Sequence, residues 1–179
     1  MDHLLLWIEE SRLSAAIAGS QFVYPGILTA HGIGMAFVVG LNTAVSLRVL
    51  GVAPTLPLPA MAKFYPVMWA ALWLNIITGI LLTMAAASRV LVDPVFFMKM
   101  TFVGLAVTNM QLLKRELLRE DEPPAQRMLP NAVGTLIVPA TRPDTRIRVL
   151  AIASIVLWGG AITLGRLMAY SFYRFWMKG

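Results

Sequence analysis

The sequence predicts an all-α integral membrane protein: a four-helix bundle with a short N-terminal interfacial helix, in a single transmembrane domain over residues 1–179. Three observations predict it. The chain is 58% apolar and only 13% charged, where an average soluble domain carries about 25% charged residues. Its mean hydropathy is +0.72. Four stretches are long and apolar enough for a bilayer crossing, which takes ~20 residues. Such a chain is not a soluble enzyme domain, a disordered tail or a disulfide scaffold; it has no Cys at all.

The spans are expected at about 22–47, 64–88, 94–113 and 149–173. The first has no charge before Arg48, the second none at all, the third encloses Lys99 and the fourth Arg166. In lipid, backbone groups find no water, so these segments must be helices. Asp93-Pro94 reads as an N-cap followed by Pro at the first helical position. Tyr24-Pro25 and Tyr65-Pro66 sit near the starts of their spans, with Tyr suited to an interfacial belt. Tyr170, Tyr173 and Trp176 mark the exit of the fourth span.

Residues 2–20 form a pre-segment in which Trp7, Leu13 and Ile17 stand among Glu9, Glu10 and Arg12, read as one short interfacial helix. The start, MDHLLLWIEE, has no basic n-region and a short apolar run, so the first span is expected to serve as the insertion signal. Residues 51–63 form a Pro-rich connector. Residues 114–148 form the one sizeable loop. It opens with KRELLREDE, expected to carry the third helix past the lipid, breaks at Pro123-Pro124, and continues through an apolar patch, MLPNAVGTLIVP.

The net charge of +6 and pI of about 10.2 fit basic residues flanking apolar spans better than a nucleic-acid footprint. The 1–2 and 3–4 connections carry nine Lys or Arg (Arg48, Lys63, Lys114, Arg115, Arg119, Arg127, Arg142, Arg146, Arg148), and the opposite side carries four (Arg12, Arg89, Arg174, Lys178). The positive-inside rule then makes the 114–148 loop cytoplasmic and both termini periplasmic.

His31 is the most informative side chain. It lies about nine residues into the first span, roughly 13 Å along the helix axis, where an imidazole needs a hydrogen-bond partner or a metal. Gly26, Ala30 and Gly34 form a ridge of small residues beside it. Two readings stand: an axial ligand to haem b or a partner to a quinone, or a packed histidine bonded to Asn75, Thr108 or a backbone carbonyl. The only other His is His3, so His–Met ligation would draw on Met84, Met98, Met100 or Met168.

Lys99 and Arg166 fall in the same outer half, with no carboxylate inside any span to neutralise them. Haem propionates, a phospholipid phosphate or snorkelling to the interface are the candidate solutions. Arg166 with its planar fork suits a propionate or phosphate better than Lys99 does. Asn42, Asn75 and Asn109 read as interhelical hydrogen-bonding amides. No nucleophile–base pair, zinc motif or phosphate loop is present, so the chain is not read as an enzyme.

The blocks YPGILTAHGIGMAFVVGLNTAVSLRVLG (24–51), PVFFMKMTFVGLAVTN (94–109) and SIVLWGGAITLGRLMAY (154–170) resemble a family of small four-span bacterial inner-membrane proteins of unassigned function. A looser similarity runs toward copper-resistance-D-like and b561-like four-helix proteins, whose intramembrane His residues hold haem or metal. The resemblance implies that His31, Asn109, Arg166 and Tyr170 occupy family positions, and that a second His follows the Asn of the third span. Here that region reads Asn109-Met110-Gln111-Leu112-Leu113-Lys114, without it. Residues 128–144 resemble an insertion relative to the family.

The function expected from these residues is an accessory subunit of a larger redox, respiratory or photosynthetic membrane complex. It would bind haem b or quinone near His31, with Arg166, Lys99, Asn109 and Tyr170 around the cofactor and other membrane subunits as partners. A bound phospholipid is the other ligand candidate. A purely structural packing protein without cofactor, or a small transporter, are the competing expectations.

Overall fold

The computed structural model describes residues 2–52, 61, 63–120 and 145–176. Every element in them is helical. In chain order these are α1 (Asp2–Glu9), α2 (Arg12–Ala18), α3 (Val23–Val49), α4 (Tyr65–Met84), α5 (Ala87–Val90), α6 (Pro94–Glu120) and α7 (Thr145–Trp176). Helices α3, α4, α6 and α7 are long and apolar enough to cross a membrane. The expected boundaries shift in informative ways. The second long helix stops at Met84, short of 88, and the chain turns into α5. The third runs on to Glu120, so the Lys114–Glu120 segment is helix, as its charged run suggested. The fourth starts at Thr145, before the apolar run begins. The loop core at 121–144, with its Pro-Pro break and apolar patch, lies outside the described residues. So do residues 53–60 of the Pro-rich connector and the side chains of Tyr173 and Trp176.

Local chemistry explains the ends. Asp93 Oδ1 accepts from the Val95 amide at 2.9 Å, the cap that Asp93-Pro94 predicts. Pro66 occupies the first turn of α4. Gly51, at φ 98°, ends α3: its amide donates to Arg48 O at 3.1 Å while Val52 N donates to Leu47 O at 3.0 Å. Those two bonds form a Schellman motif, and its left-handed residue is where Gly costs least.

The pre-segment is two helices, not one. Ser11 breaks it, with its hydroxyl accepting from Ser14 N at 3.3 Å. The second helix docks on the bundle: Ser14, fully buried, donates to Met84 O at 2.8 Å. Glu9 Oε2 accepts from Ser88 N at 3.1 Å. α1 and α2 thus satisfy a carbonyl left open at the end of α4 and an amide at the start of α5.

The long helices alternate in direction. The end where α3 begins and α4 finishes is called the upper end here. α3 packs on α4, α6 packs on α7, and α3 joins the two hairpins by packing on α7. α4 and α6 meet through side chains: Tyr65 and Met68 cluster with Met110, and Lys114 Nζ stands 5.3 Å from the centre of the Tyr65 ring. The lower core holds Val45, Val49, Met61, Leu113, Leu117, Ile147 and Ala151. The middle holds Val38, Ala71, Leu72, Ala106 and Trp158.

Of the small-residue ridge Gly26–Ala30–Gly34, it is Gly34 whose missing side chain lets α4 approach. A Cβ there would collide with Asn75 Nδ2 and lie 3.2 Å from Ala71 O, whereas one at Gly26 would meet nothing. The outer faces of all four helices are apolar, with Leu28, Ile33 and Phe37 exposed on α3, Trp73, Ile77 and Ile80 on α4, Phe97 and Leu105 on α6, and Ile152 and Val156 on α7.

Candidate functional site

His31 faces the bundle from α3 and is half-buried. Its ring lies close against α4 because residue 79 is glycine: a Cβ there would sit 3.4 Å from His31 Cε1. His31 Nδ1 and Thr78 Oγ1 are 2.9 Å apart. Which of the two donates follows from proton counting. A threonine hydroxyl has one proton. Thr78 places it on the backbone, donating to Leu74 O at 2.6 Å, with Asn75 O at 3.3 Å as the secondary acceptor. With that proton on the backbone, Thr78 Oγ1 accepts from the ring and His31 carries its proton on Nδ1; with it on the ring, the roles reverse. In the Nδ1-protonated tautomer the lone pair is on Nε2; the ring also lies within hydrogen-bonding reach of the Asn75 backbone carbonyl. A backbone-anchored hydroxyl thus sets both tautomer and ring orientation, as the outer hydrogen-bond partners of ligating histidines do.

Of the expected partners of His31, the Asn75 backbone carbonyl lies at the ring, whereas the side chains of Asn75 and Thr108 are engaged elsewhere. Asn75 Nδ2 donates down its own helix to Ala71 O at 3.0 Å. Thr108 is exposed and donates to Gly104 O at 2.9 Å. Thr78 is the partner that sequence reasoning missed. It carries no local signal, because a Thr inside an apolar run reads the same whether it faces lipid or an imidazole.

Helix register places Lys99 at the same level. Gly34 meets Asn75 across α3 and α4, and Asn42 meets Ser154 across α3 and α7. In this antiparallel register His31 stands level with Gly165. Lys99 lies against that glycine, where a Cβ would be 3.7 Å from Lys99 Cε and 3.9 Å from Nζ. The ammonium is close enough to act electrostatically on the His31 ring. Lys99 is half-buried and has no hydrogen bond or ion pair among the described residues. One layer of the bundle therefore contains an imidazole lone pair and an ammonium.

The other predicted site residues sit elsewhere. Arg166 follows Gly165 directly but is exposed, on the outside of α7. Tyr170, one turn higher, is 67% exposed. Asn109 is ten residues below Lys99 on α6, about 15 Å along the axis. Its Nδ2 donates to Leu150 O at 3.0 Å, so it joins α6 to α7 rather than reaching the His31 layer. Met98 and Met100 are exposed on α6. Among the described residues, no group of three or more His, Cys, Asp or Glu could hold a metal ion.

Comparison with protein families, with curated proteins and with solved structures finds no match to this chain.

Proposed function

We propose that this chain is a multi-pass protein of the bacterial inner membrane that binds the head group of a quinone or quinol between His31 and Lys99, as an accessory subunit of a larger redox complex. The upper end and both termini face the periplasm, and α1 and α2 rest in the head-group layer with Leu6, Trp7 and Leu13 turned outward. Two features of the helices support the bilayer. Their outer faces carry large apolar side chains. The exposed hydroxyls of Thr29, Thr101, Thr108 and Thr163 each donate to the carbonyl four residues earlier at 2.8–3.0 Å, which satisfies them without water.

The observation that carries the ligand assignment is that the His31 ring, held at Nδ1 by Thr78, and the Lys99 ammonium share one layer of the bundle. A quinone carbonyl is an acceptor, and Lys99 donates to it. A quinol hydroxyl is a donor, and Nε2 accepts it. Both redox forms find a partner in one layer, while the isoprenoid tail stays in hydrocarbon. A half-buried cation without a protein anion among the described residues favours an oxygen-rich ligand, since a charge left unmet in lipid costs several kcal/mol.

The same Nε2, anchored through Nδ1, also suits an axial haem b ligand, and one preparation separates the two. Protein purified with its native lipids should yield stoichiometric quinone on solvent extraction. His31→Ala and Lys99→Leu should lose it, and Arg166→Gln should keep it. A Soret band abolished by His31→Ala would replace quinone with haem. Wild-type protein with neither quinone nor Soret band, or with phospholipid alone displaced by Lys99→Leu, would refute the quinone assignment.

A further inference from the structure

The lower end of the bundle holds a second cation without a protein anion, far from the His31 layer. Tyr65, at the start of α4, is 2% exposed, and its phenol Oη makes no hydrogen bond. Lys114, on α6, stands over that ring with Nζ 5.3 Å from the ring centre. It has no hydrogen bond or ion pair among the described residues. The ring face attracts the ammonium, but it supplies neither a negative charge nor an acceptor for the phenol proton. The nearest carboxylate along α6, Glu116, is turned to Arg146 at 3.3 Å. Gln111 lies one turn above Lys114 on the adjoining strip of α6. It is exposed, with no hydrogen bond among the described residues.

These three side chains can all donate, and two of them are in direct contact. A buried hydroxyl without a partner is rare in a native interior, and a cation at the edge of hydrocarbon favours an anion. Water could accept the phenol proton but would leave the charge unmet, and the ammonium repels a metal cation. The place also adjoins a groove. α4 and α6 do not pack closely along their backbones. Helical periodicity puts Trp69 and Ile76 on the Tyr65 face of α4, and Val107 and Met100 on the Lys114 face of α6. Trp69 and Val107 are half-buried and Ile76 and Met100 are exposed, so an apolar strip leads upward from the polar place.

We infer that Lys114 and Tyr65 hold the phosphate of a phospholipid whose acyl chains lie along the groove between α4 and α6. Two oxygens of one phosphodiester accept from the ammonium and from the phenol hydroxyl, bonds strengthened by the charge. The lysine over the ring has a flexible four-carbon stem, and its movement admits the phosphate to the hydroxyl. Gln111, closer to the bilayer middle, faces the level of the acyl ester carbonyls. A free phosphate would satisfy the donors but leave the apolar strip uncovered. The inference rests on the membrane placement of the helices and not on quinone.

Native mass spectrometry tests it, on the full-length chain in detergent titrated with phosphatidylglycerol. The wild type should bind one lipid specifically. Tyr65→Phe keeps the ring that packs on Met68 and Met110 and removes only the hydroxyl. It and Lys114→Gln should each weaken that binding at least about tenfold. Lys63→Gln and Arg115→Gln, which remove exposed cations nearby, should change it less than about twofold. His31→Ala should leave it unchanged. Equal binding in wild type, Tyr65→Phe and Lys114→Gln would overturn the site. So would equal losses in all four lower-end variants, which would report a general attraction of basic residues for anionic lipid. Release of the lipid by inorganic phosphate at equal concentration would make free phosphate the ligand and overturn the lipid assignment. If Lys114→Gln fails to fold, Tyr65→Phe decides alone.

Discussion

Thr78→Val is the sharpest perturbation of the site. Valine matches threonine in shape and keeps the packing against Gly79 and His31, but removes the oxygen that receives His31 Nδ1–H at 2.9 Å. Leu74 O loses only the extra hydroxyl donor at 2.6 Å and keeps its helical amide, so that side of the change costs little. The cost falls on the imidazole. A net hydrogen bond contributes about 0.5–1.5 kcal/mol, and a buried donor left unmet costs about 1–3 kcal/mol. His31 is half-buried, so partial exposure recovers some of the loss and the sum is about 1–2 kcal/mol. Equilibrium unfolding in mixed micelles measures it. Imidazole ¹⁵N spectra measure the more specific effect: the wild type should have its proton on Nδ1, Thr78→Val should lose that preference, and Thr78→Ser should restore it. An Nε2-protonated ring in the wild type, or an unchanged Nδ1 tautomer in Thr78→Val, would refute the proton-counting argument.

Gly34→Ala should destabilise the α3–α4 contact by about 1–3 kcal/mol, because the new Cβ meets Asn75 Nδ2 and the immobile Ala71 O; Gly26→Ala, with open space around it, should be neutral or slightly stabilising in the same unfolding titration. Asn109→Leu should cost about 0.6–1.7 kcal/mol, the range for interhelical hydrogen bonds in bilayers, by removing the bond to Leu150 O. On the proposed function it should leave the quinone yield on extraction unchanged, since Asn109 lies about 15 Å below the His31 layer. Glu116→Gln should shift stability by less than about 1 kcal/mol, since its partner Arg146 at 3.3 Å is mostly exposed, and the difference should shrink in high salt.

Individual residues show how far the sequence could be read. Asp93-Pro94 foretold its own cap because an N-cap is a contact between residues two apart in the chain. The charged run that begins at Lys114 foretold a helix continuing past the apolar span, again a local property. Asn42, Asn75 and Asn109 were read as interhelical hydrogen-bonding amides; Asn42 and Asn109 are, to Ser154 and to Leu150 O, while Asn75 Nδ2 donates to Ala71 O of its own helix, and nothing in the sequence named those partners. Ser11 splits the pre-segment through its bond to Ser14 N, a break that the even mixture of polar and apolar residues around it does not mark. Ser14 carried no signal at all, because its partner Met84 O is 70 residues away.

Composition and hydropathy alone determined the four long apolar helices, since with so little charge to solvate and so much apolar surface to cover, each stretch must satisfy its own backbone. Tertiary structure alone decided that His31 pairs with Thr78, that Lys99 rather than Arg166 shares its layer, and that Asn42 reaches Ser154. Those outcomes depend on the register of one helix against another. A shift of one residue turns a side chain by about 100° around the axis, and the apolar periodicity of a helix that is apolar on every side does not specify which way it turns.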